Sequence, residues 1–267
     1  MYITNNPQVA HIGEKCGVDR LWVDMEWMGK EARQPGMDTV KSHHTLEDIS
    51  VLRNVLTTSK LMVRVNPLHD KSKYEIDESI ARGAEIIMLP MWKTSDDVRR
   101  FIDYVNGRAI VNLLLETREA LENLYKIVKV SGIDEIHIGL NDLHLSLHKR
   151  FMFELLADGT VEHICNVLKN NRIKYGFGGI GRIGSGTLPA EYILSEHVRL
   201  GSSMVILSRS FCNTSQVTDW AALEESFRIG VHDLRLAEML YRQIGNVGLG
   251  QLHVNDIECV EKIVNDI

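Results

Sequence analysis

Ala109-Ile-Val-Asn-Leu-Leu-Leu-Glu-Thr-Arg118 and Asp134-Glu-Ile-His-Ile-Gly-Leu-Asn-Asp142 share one pattern, a short apolar run that gives way to an acid. Runs this short and rich in branched residues read as strands buried on both faces, as in a parallel sheet. As parallel strands of one barrel they place Glu116 and Asp142 at the same rim, one strand–helix–strand unit apart in sequence. Working outward, runs of the same kind begin at Met1-Tyr-Ile-Thr4, Leu21-Trp-Val-Asp24, Leu61-Met-Val-Arg64, Glu85-Ile-Ile-Met-Leu89, Lys174-Tyr-Gly-Phe177 and Met204-Val-Ile-Leu207. They alternate with segments of helical period, the signature of βα units. Eight strands with seven crossovers predict an α/β fold, a (β/α)8 TIM barrel whose active site lies at the carboxyl ends of the strands.

The helices between these runs carry start and stop signals. Thr45-Leu-Glu-Asp48 reads as a capping box opening Ile49 to Leu56, and Thr94-Ser-Asp-Asp97 puts acids into the first turn of a helix running to about Val105. Gly83 and Gly201 follow helices and suit the left-handed position past a helix end. The stretch 216–267 exceeds one closing helix: Asp219 to Gln243 reads as helical with a break near Gly230, and Asn255 to Ile267 as a further helix. Residues 1–267 are therefore expected to form a single barrel domain, with 216–267 a helical extension packed on the barrel or on a neighbouring subunit.

A chain of 267 residues suits such a barrel, which commonly needs about 250. The net charge of −6 and pI near 6.0 give no basic face for nucleic acid or an anionic membrane. Four cysteines without CxxC spacing indicate neither a zinc site nor a redox pair, and buried thiols in a reducing cytosol are the expectation. No run spans a bilayer and the start lacks a basic n-region, so a soluble, cytoplasmic protein is expected.

The residues that follow the strands include Asp24, Glu26, Arg64, Glu116, Asp142 and Arg209. Charges at a barrel mouth are costly unless paired, coordinated or hydrogen-bonded. Glu116 and Asp142 suit a hard cation, because Mg2+ takes one or two protein carboxylates and fills its other positions with water and substrate oxygens. A chelated 2-oxoacid would have its carbonyl polarised, stabilising an enolate formed by C–C cleavage or proton removal. The plainer alternative makes Glu116 the cap of a helix starting at Thr117 and Asp142 an Asx turn. Arg64 interrupts an apolar strand and can grip a carboxylate or an enolate oxygen with its fork. Its structural alternative is a buried salt bridge to Asp24 or Glu26.

Gly178-Gly-Ile-Gly-Arg-Ile-Gly-Ser-Gly186 follows the seventh strand, where barrels often bind phosphate together with the segment after strand eight. Arg182, Ser185, Ser208 and Arg209 make an anion site there one reading and a plain turn the other. His144 and His148 follow Asp142 and are placed to line the mouth. His43 and His44 end a long loop from Lys30 that can fold over the site, and either can act as a general base near neutral pH, or be an ordinary loop residue.

Gly17-Val-Asp-Arg-Leu-Trp-Val-Asp-Met-Glu26, Val63-Arg64, Gly83-Ala-Glu-Ile-Ile-Met-Leu-Pro90, Leu115-Glu-Thr-Arg-Glu-Ala120 and Gly132 to Leu143 together resemble, in order and spacing, the HpcH/HpaI aldolase/citrate lyase family. The resemblance implies a metal-dependent (β/α)8 barrel that makes or breaks C–C bonds next to pyruvate-like or acyl-CoA groups. It implies that Glu116 and Asp142 hold Mg2+ or Mn2+, that Arg64 binds the oxoacid, and that main-chain amides around Leu140 and Asn141 hold the substrate carboxylate. It also implies a homo-oligomer, a trimer or a hexamer. The aldolase branch carries a relay histidine directly after the Asp-x-Glu of strand two, where this chain has Trp27. The short segment from Met91 to Arg108 looks more like the citrate-lyase branch. Trp27 can stack on a flat substrate face or simply fill the rim, and Trp92 raises the same question.

The leading expectation is a metal-dependent carbon–carbon lyase for a 2-oxoacid or related hydroxyacid adduct. In it Glu116 and Asp142 take the metal, Arg64 fixes the oxoacid, and a base among Asp24, Glu26, His43 and His44 moves the proton. A phosphorylated or CoA-linked substrate held by Arg182, Ser185 and Arg209 is the second reading. A non-catalytic barrel is the third.

Overall fold

The computed structural model describes residues 1–29, 43–208, 211–212 and 219–267. Eight strands run in chain order around a closed barrel: β1 (Tyr2–Ile3), β2 (Arg20–Asp24), β3 (Lys60–Arg64), β4 (Ile86–Leu89), β5 (Ile110–Leu115), β6 (Glu135–Ile138), β7 (Lys174–Ile180) and β8 (Met204–Leu207). Each lies where the sequence places it. By contact density the chain divides into two compact units, Met1–His137 and Ile138–Ile267. Among the described residues no helix is long and apolar enough to cross a membrane.

In the first unit, β1 to β5 pair in parallel register, Leu21 with Leu61 and Ile86 with Ile110. Leu21, Val23, Leu61 and Val63 are fully buried, as are Met62 and Met88 on the opposite strand face. Burial on both faces is why these strands read as unbroken apolar runs. Glu135 gathers two polar neighbours: Arg20 donates to both of its oxygens, at 2.5 and 2.9 Å, and Asn112 Nδ2 donates to Oε1 at 2.7 Å.

Helices α1 (Pro7–Lys15), α2 (Leu46–Arg53), α3 (Ser72–Ala81) and α4 (Ser95–Val105) cover these strands, followed by α5 (Arg118–Glu122) and α6 (Leu124–Ile127). The expected capping box is present, with Asp48 accepting from the backbone N–H of Thr45, and Thr94 with Asp97 forms a second one, Asp97 accepting from Thr94 N–H. Glu14 on α1 ties down the turn before β3, accepting from the N–H groups of Thr57, Thr58 and Ser59. Burial alone would raise its carboxyl, but these donors outweigh it and hold it down at about 2. Because the folded value lies below the unfolded one, its stabilisation is complete above about pH 4.5 and is lost as pH falls toward 2. Glu14→Gln is expected to cost about 1–2 kcal/mol at neutral pH, and less as the pH is lowered, in urea titrations. A cost unchanged between pH 7 and about pH 2.5 would remove the charge argument.

The second unit contains α7 (Leu140–Ser146), α8 (Glu154–Ala157), α9 (Thr160–Asn170), α10 (Ala190–Leu200) and α11 (Trp220–Asp266). Asp219 caps α11, accepting from Ala221 and Ala222 N–H at 2.9 and 3.0 Å. The expected break near Gly230 is not there. Gly230 is helical, and a Cβ on it would come within 2.8 Å of Phe211, so this glycine serves a close approach. The break lies at Gly245, with φ 76° and ψ 174°, a conformation that glycine alone adopts without strain. Helix resumes directly after it, well before Asn255.

The glycine run is also placed differently from expectation, since residues 178–180 belong to β7, which shifts register against β8 between Gly176 and Gly179. Cys165 and Cys212 are buried and Cys16 and Cys259 partly so, and burial pushes the Cys165 thiol up to about 12.

Candidate active site

The carboxyl ends of β2, β3 and β5 bring four charged side chains together in the first unit. Residues two apart on a strand share a face, and the pairing of β2 with β3 sets Asp24 beside Arg64. Arg64 donates through Nε and Nη2 to the two oxygens of Asp24, each at 2.8 Å. Its Nη1 lies 3.3 Å from Glu26 Oε2, and its guanidinium sits 5.1 Å from the centre of the Trp22 ring. Asp24 and Glu26 are each 1% exposed and Glu116 is 3% exposed. Burial opposes the charge on Arg64, but Asp24, Glu26 and then Glu116 outweigh it and keep the guanidinium protonated. The salt bridge posed as Arg64's structural alternative is therefore formed. Three carboxylates thus face one guanidinium.

Glu116 does not cap the helix that follows. Thr117 does so, its Oγ1 accepting from Ala120 N–H at 3.1 Å. Glu116 Oε1 instead accepts from Met91 N–H at 3.0 Å, and Met91 holds a left-handed φ of 55° just after β4. A non-glycine residue in that region stores strain and needs an anchor.

The segment after β2 is fixed from several sides. Asp24 N–H donates to His44 Nδ1 at 3.0 Å, so the neutral imidazole carries its hydrogen on Nε2. While that bond stands, His44 is a donor and not a base. His43 is exposed. Asn66 Oδ1 accepts from the N–H groups of both Trp27 and Met28, and Asn66 Nδ2 donates to Glu75 Oε1 at 2.7 Å. Trp27 itself is 68% exposed, whereas Trp92 is buried. Only Trp27 of the two presents its ring to solvent.

In the second unit, Asp142 stands in the first turn of α7 and is partly exposed, within the helix and not in an isolated Asx turn. No side chain caps α7, whose first residues are Leu140 and Asn141. His144 is buried against Leu140 O, and His148 is exposed. Arg182 gives Nε to Phe211 O, and Nη2 to the carbonyl and hydroxyl of Ser226, while Ser185 donates to Arg182 O. Arg209, Ser210 and the loop residues 30–42 lie outside the described residues.

Asn66, Glu75 and Met91 were not singled out from the sequence. Asn66 shares the strand parity of Arg64, and that alternation past the end of β3 was the available signal. Among the described residues no group of three or more His, Cys, Asp or Glu is gathered for a metal ion. The donor set is of the carboxylate kind that leaves coordination positions to water and substrate, which suits Mg2+ and not a closed structural zinc site.

The sequence pattern described as HpcH/HpaI aldolase/citrate lyase matches residues 2–151. Among solved structures, the chain is similar to an HpcH/HpaI aldolase from Desulfitobacterium hafniense DCB-2, with TM-score 0.61 and 17% identity over 88% of this chain and 91% of that one. It is similar also to an HpcH/HpaI aldolase/citrate lyase family protein from Burkholderia cenocepacia J2315, with TM-score 0.62 and 15% identity over 88% and 94%. Citrate synthase SbnG matches with TM-score 0.59 and 17% identity over 78% and 84%. At these identities the structures speak to the fold. No curated protein matches the chain.

Proposed function

The chain belongs to the HpcH/HpaI aldolase/citrate lyase family, and from that premise we propose that it is a carbon–carbon lyase for a 2-oxoacid or a related hydroxyacid adduct, with Mg2+ or Mn2+ held by Glu116 and Asp142. The observation that carries the reading is the buried cluster of Asp24, Glu26 and Glu116 around Arg64. It gathers buried carboxylate oxygens, the hard donors that Mg2+ or Mn2+ takes, beside a guanidinium that can hold an oxoacid. When bound there, the cation supplies a Lewis acid for a chelated carbonyl.

The remaining work falls to the protein's own groups. Arg64 is pre-aligned by Asp24 and fixes the oxoacid through the edge it turns toward Glu26. Glu26, whose Oε2 faces Arg64 Nη1 at 3.3 Å, is the group that carries the proton. His44 donates from Nε2, the amides of Leu140 and Asn141 receive the substrate carboxylate, and Trp27 offers a stacking face to the acceptor half. Assembly as a trimer or hexamer is part of the same proposal, read by sedimentation velocity.

The test is exchange of pyruvate methyl protons, or those of a longer 2-oxoacid, with solvent deuterium under divalent metal. Exchange should require metal and should fall by about 10²-fold or more in Glu26→Gln. No exchange with any 2-oxoacid under any divalent metal would count against the lyase. A phosphorylated or CoA-linked substrate has less support, because Arg182 donates to Phe211 and Ser226 within the fold.

A further inference from the structure

The second unit holds a cluster of ionisable groups that the proposed reaction does not use. Beyond Gly245, α11 carries Asp256 and His253 against α10. Asp256 is 3% exposed; its Oδ2 lies 3.1 Å from Ser195 Oγ, and its Oδ1 is buried with no hydrogen-bond partner. Ser195 Oγ also lies 2.8 Å from Tyr192 O. Ser195 has one hydroxyl hydrogen for two acceptors, so Asp256 Oδ2 has at most a shared donor and Oδ1 has none.

The surroundings supply no other partner. Glu196, 1% exposed, stands beside Asp256 with both oxygens engaged by Arg199 and Oε1 also facing His253 Nδ1 at 3.0 Å. Arg199 is shared with Glu162 on α9, so the nearest cation is already committed to two other carboxylates. Tyr192 and Tyr241 are the remaining titratable groups that face the site from α10 and from the earlier part of α11. The hollow lined by Leu156, Leu188, Tyr192, Glu196, His253 and Asp256 has no room for a water molecule. A buried carboxylate with an orphaned oxygen, and no space for water or a hydrated ion, can be satisfied only by a proton.

We propose that Asp256 is a proton latch: as the neutral acid it fastens the segment after Gly245 to α10, and loss of its proton frees that segment. Gly245 is the hinge, in a conformation a side chain would strain, and with nothing within 4 Å of where a Cβ would stand. Burial, reinforced by the charge of Glu196, pushes the Asp256 carboxyl up to about 7, so the latch works near neutral pH. The folded value lies above the unfolded one. The latch is thus complete at low pH and is lost as pH rises to about 7, with docking weakening at most roughly tenfold per pH unit.

Amide hydrogen exchange on the full chain tests this, following residues 246–266 from about pH 4 to about 8.5 after correction for intrinsic rates. The wild type should open progressively as pH rises from about 4 to about 7 and level off above that. Asp256→Asn, which keeps the shape of the neutral acid, should stay docked with a flat profile. A pH-independent wild type overturns the proposal. So does an unchanged pH response in Asp256→Asn that disappears in His253→Gln, since the switch would then be the histidine's. Where Asp256→Asn does not fold, Ser195→Ala removes the hydroxyl that donates to the carboxylate. Its opening midpoint must then move to higher pH, and an unmoved midpoint also overturns the latch.

Discussion

Glu116→Gln is expected to lower affinity for Mn2+ by more than about 10²-fold, and proton exchange with it, because even outer partners of a metal site are worth 10–100-fold. The substitution is chosen for what it keeps. A glutamine carbonyl can still accept from Met91 N–H, now at 3.0 Å, so the left-handed turn after β4 retains its anchor. What is lost is the carboxylate charge that acts on Arg64. Glu116→Ala would remove the anchor as well and should add about 1–3 kcal/mol of destabilisation, for a buried N–H left without its partner. Calorimetric titration of wild type, Glu116→Gln and Asp142→Asn separates the two effects. Metal binding by Glu116→Gln at wild-type affinity would strike Glu116 from the ligands. A wild type that binds no divalent metal would favour a non-catalytic barrel.

The strands β2 to β6 were legible because they are buried on both faces, so their identity survives in composition alone. Where two causes leave the same letter in the sequence, the reading divides. Gly230 and Gly245 both interrupt a helical pattern, yet one admits Phe211 and the other turns the chain. Only packing distinguishes them. The run from Gly178 reads as a loop because glycine usually marks one, but β7 absorbs its first residues by slipping register against β8. The charged residues after the strands were legible for a related reason: a charge beside an apolar run is conspicuous. Their partners were not. Asn66 clamps the Trp27 turn through Glu75, and that contact depends on where α3 returns to the barrel, which no local pattern encodes.

Arg64→Met carries the second large effect, an expected loss of about 3–5 kcal/mol in stability, because it strands buried Asp24 and Glu26 without their cation. The cost comes from what is left behind and not from the worth of the pair, since a buried ion pair is often no more stable than an apolar replacement. Two further variants make that distinction measurable. Arg64→Lys retains the charge but not the fork that meets both Asp24 oxygens, and should cost about 1–2 kcal/mol. Asp24→Asn combined with Arg64→Met removes one stranded charge and should recover part of the loss, a coupling of about 0.5–3 kcal/mol in a double-mutant cycle. Urea unfolding reads all three. An Arg64→Met protein within about 0.5 kcal/mol of wild type, the range of an ordinary surface change, would mean that the carboxylates find water or another partner. If the loss appears and divalent metal deepens it no further, the charge is structural. If added metal instead restores part of the stability of Arg64→Met, the buried carboxylates are free to accept a second cation, as the proposed site requires.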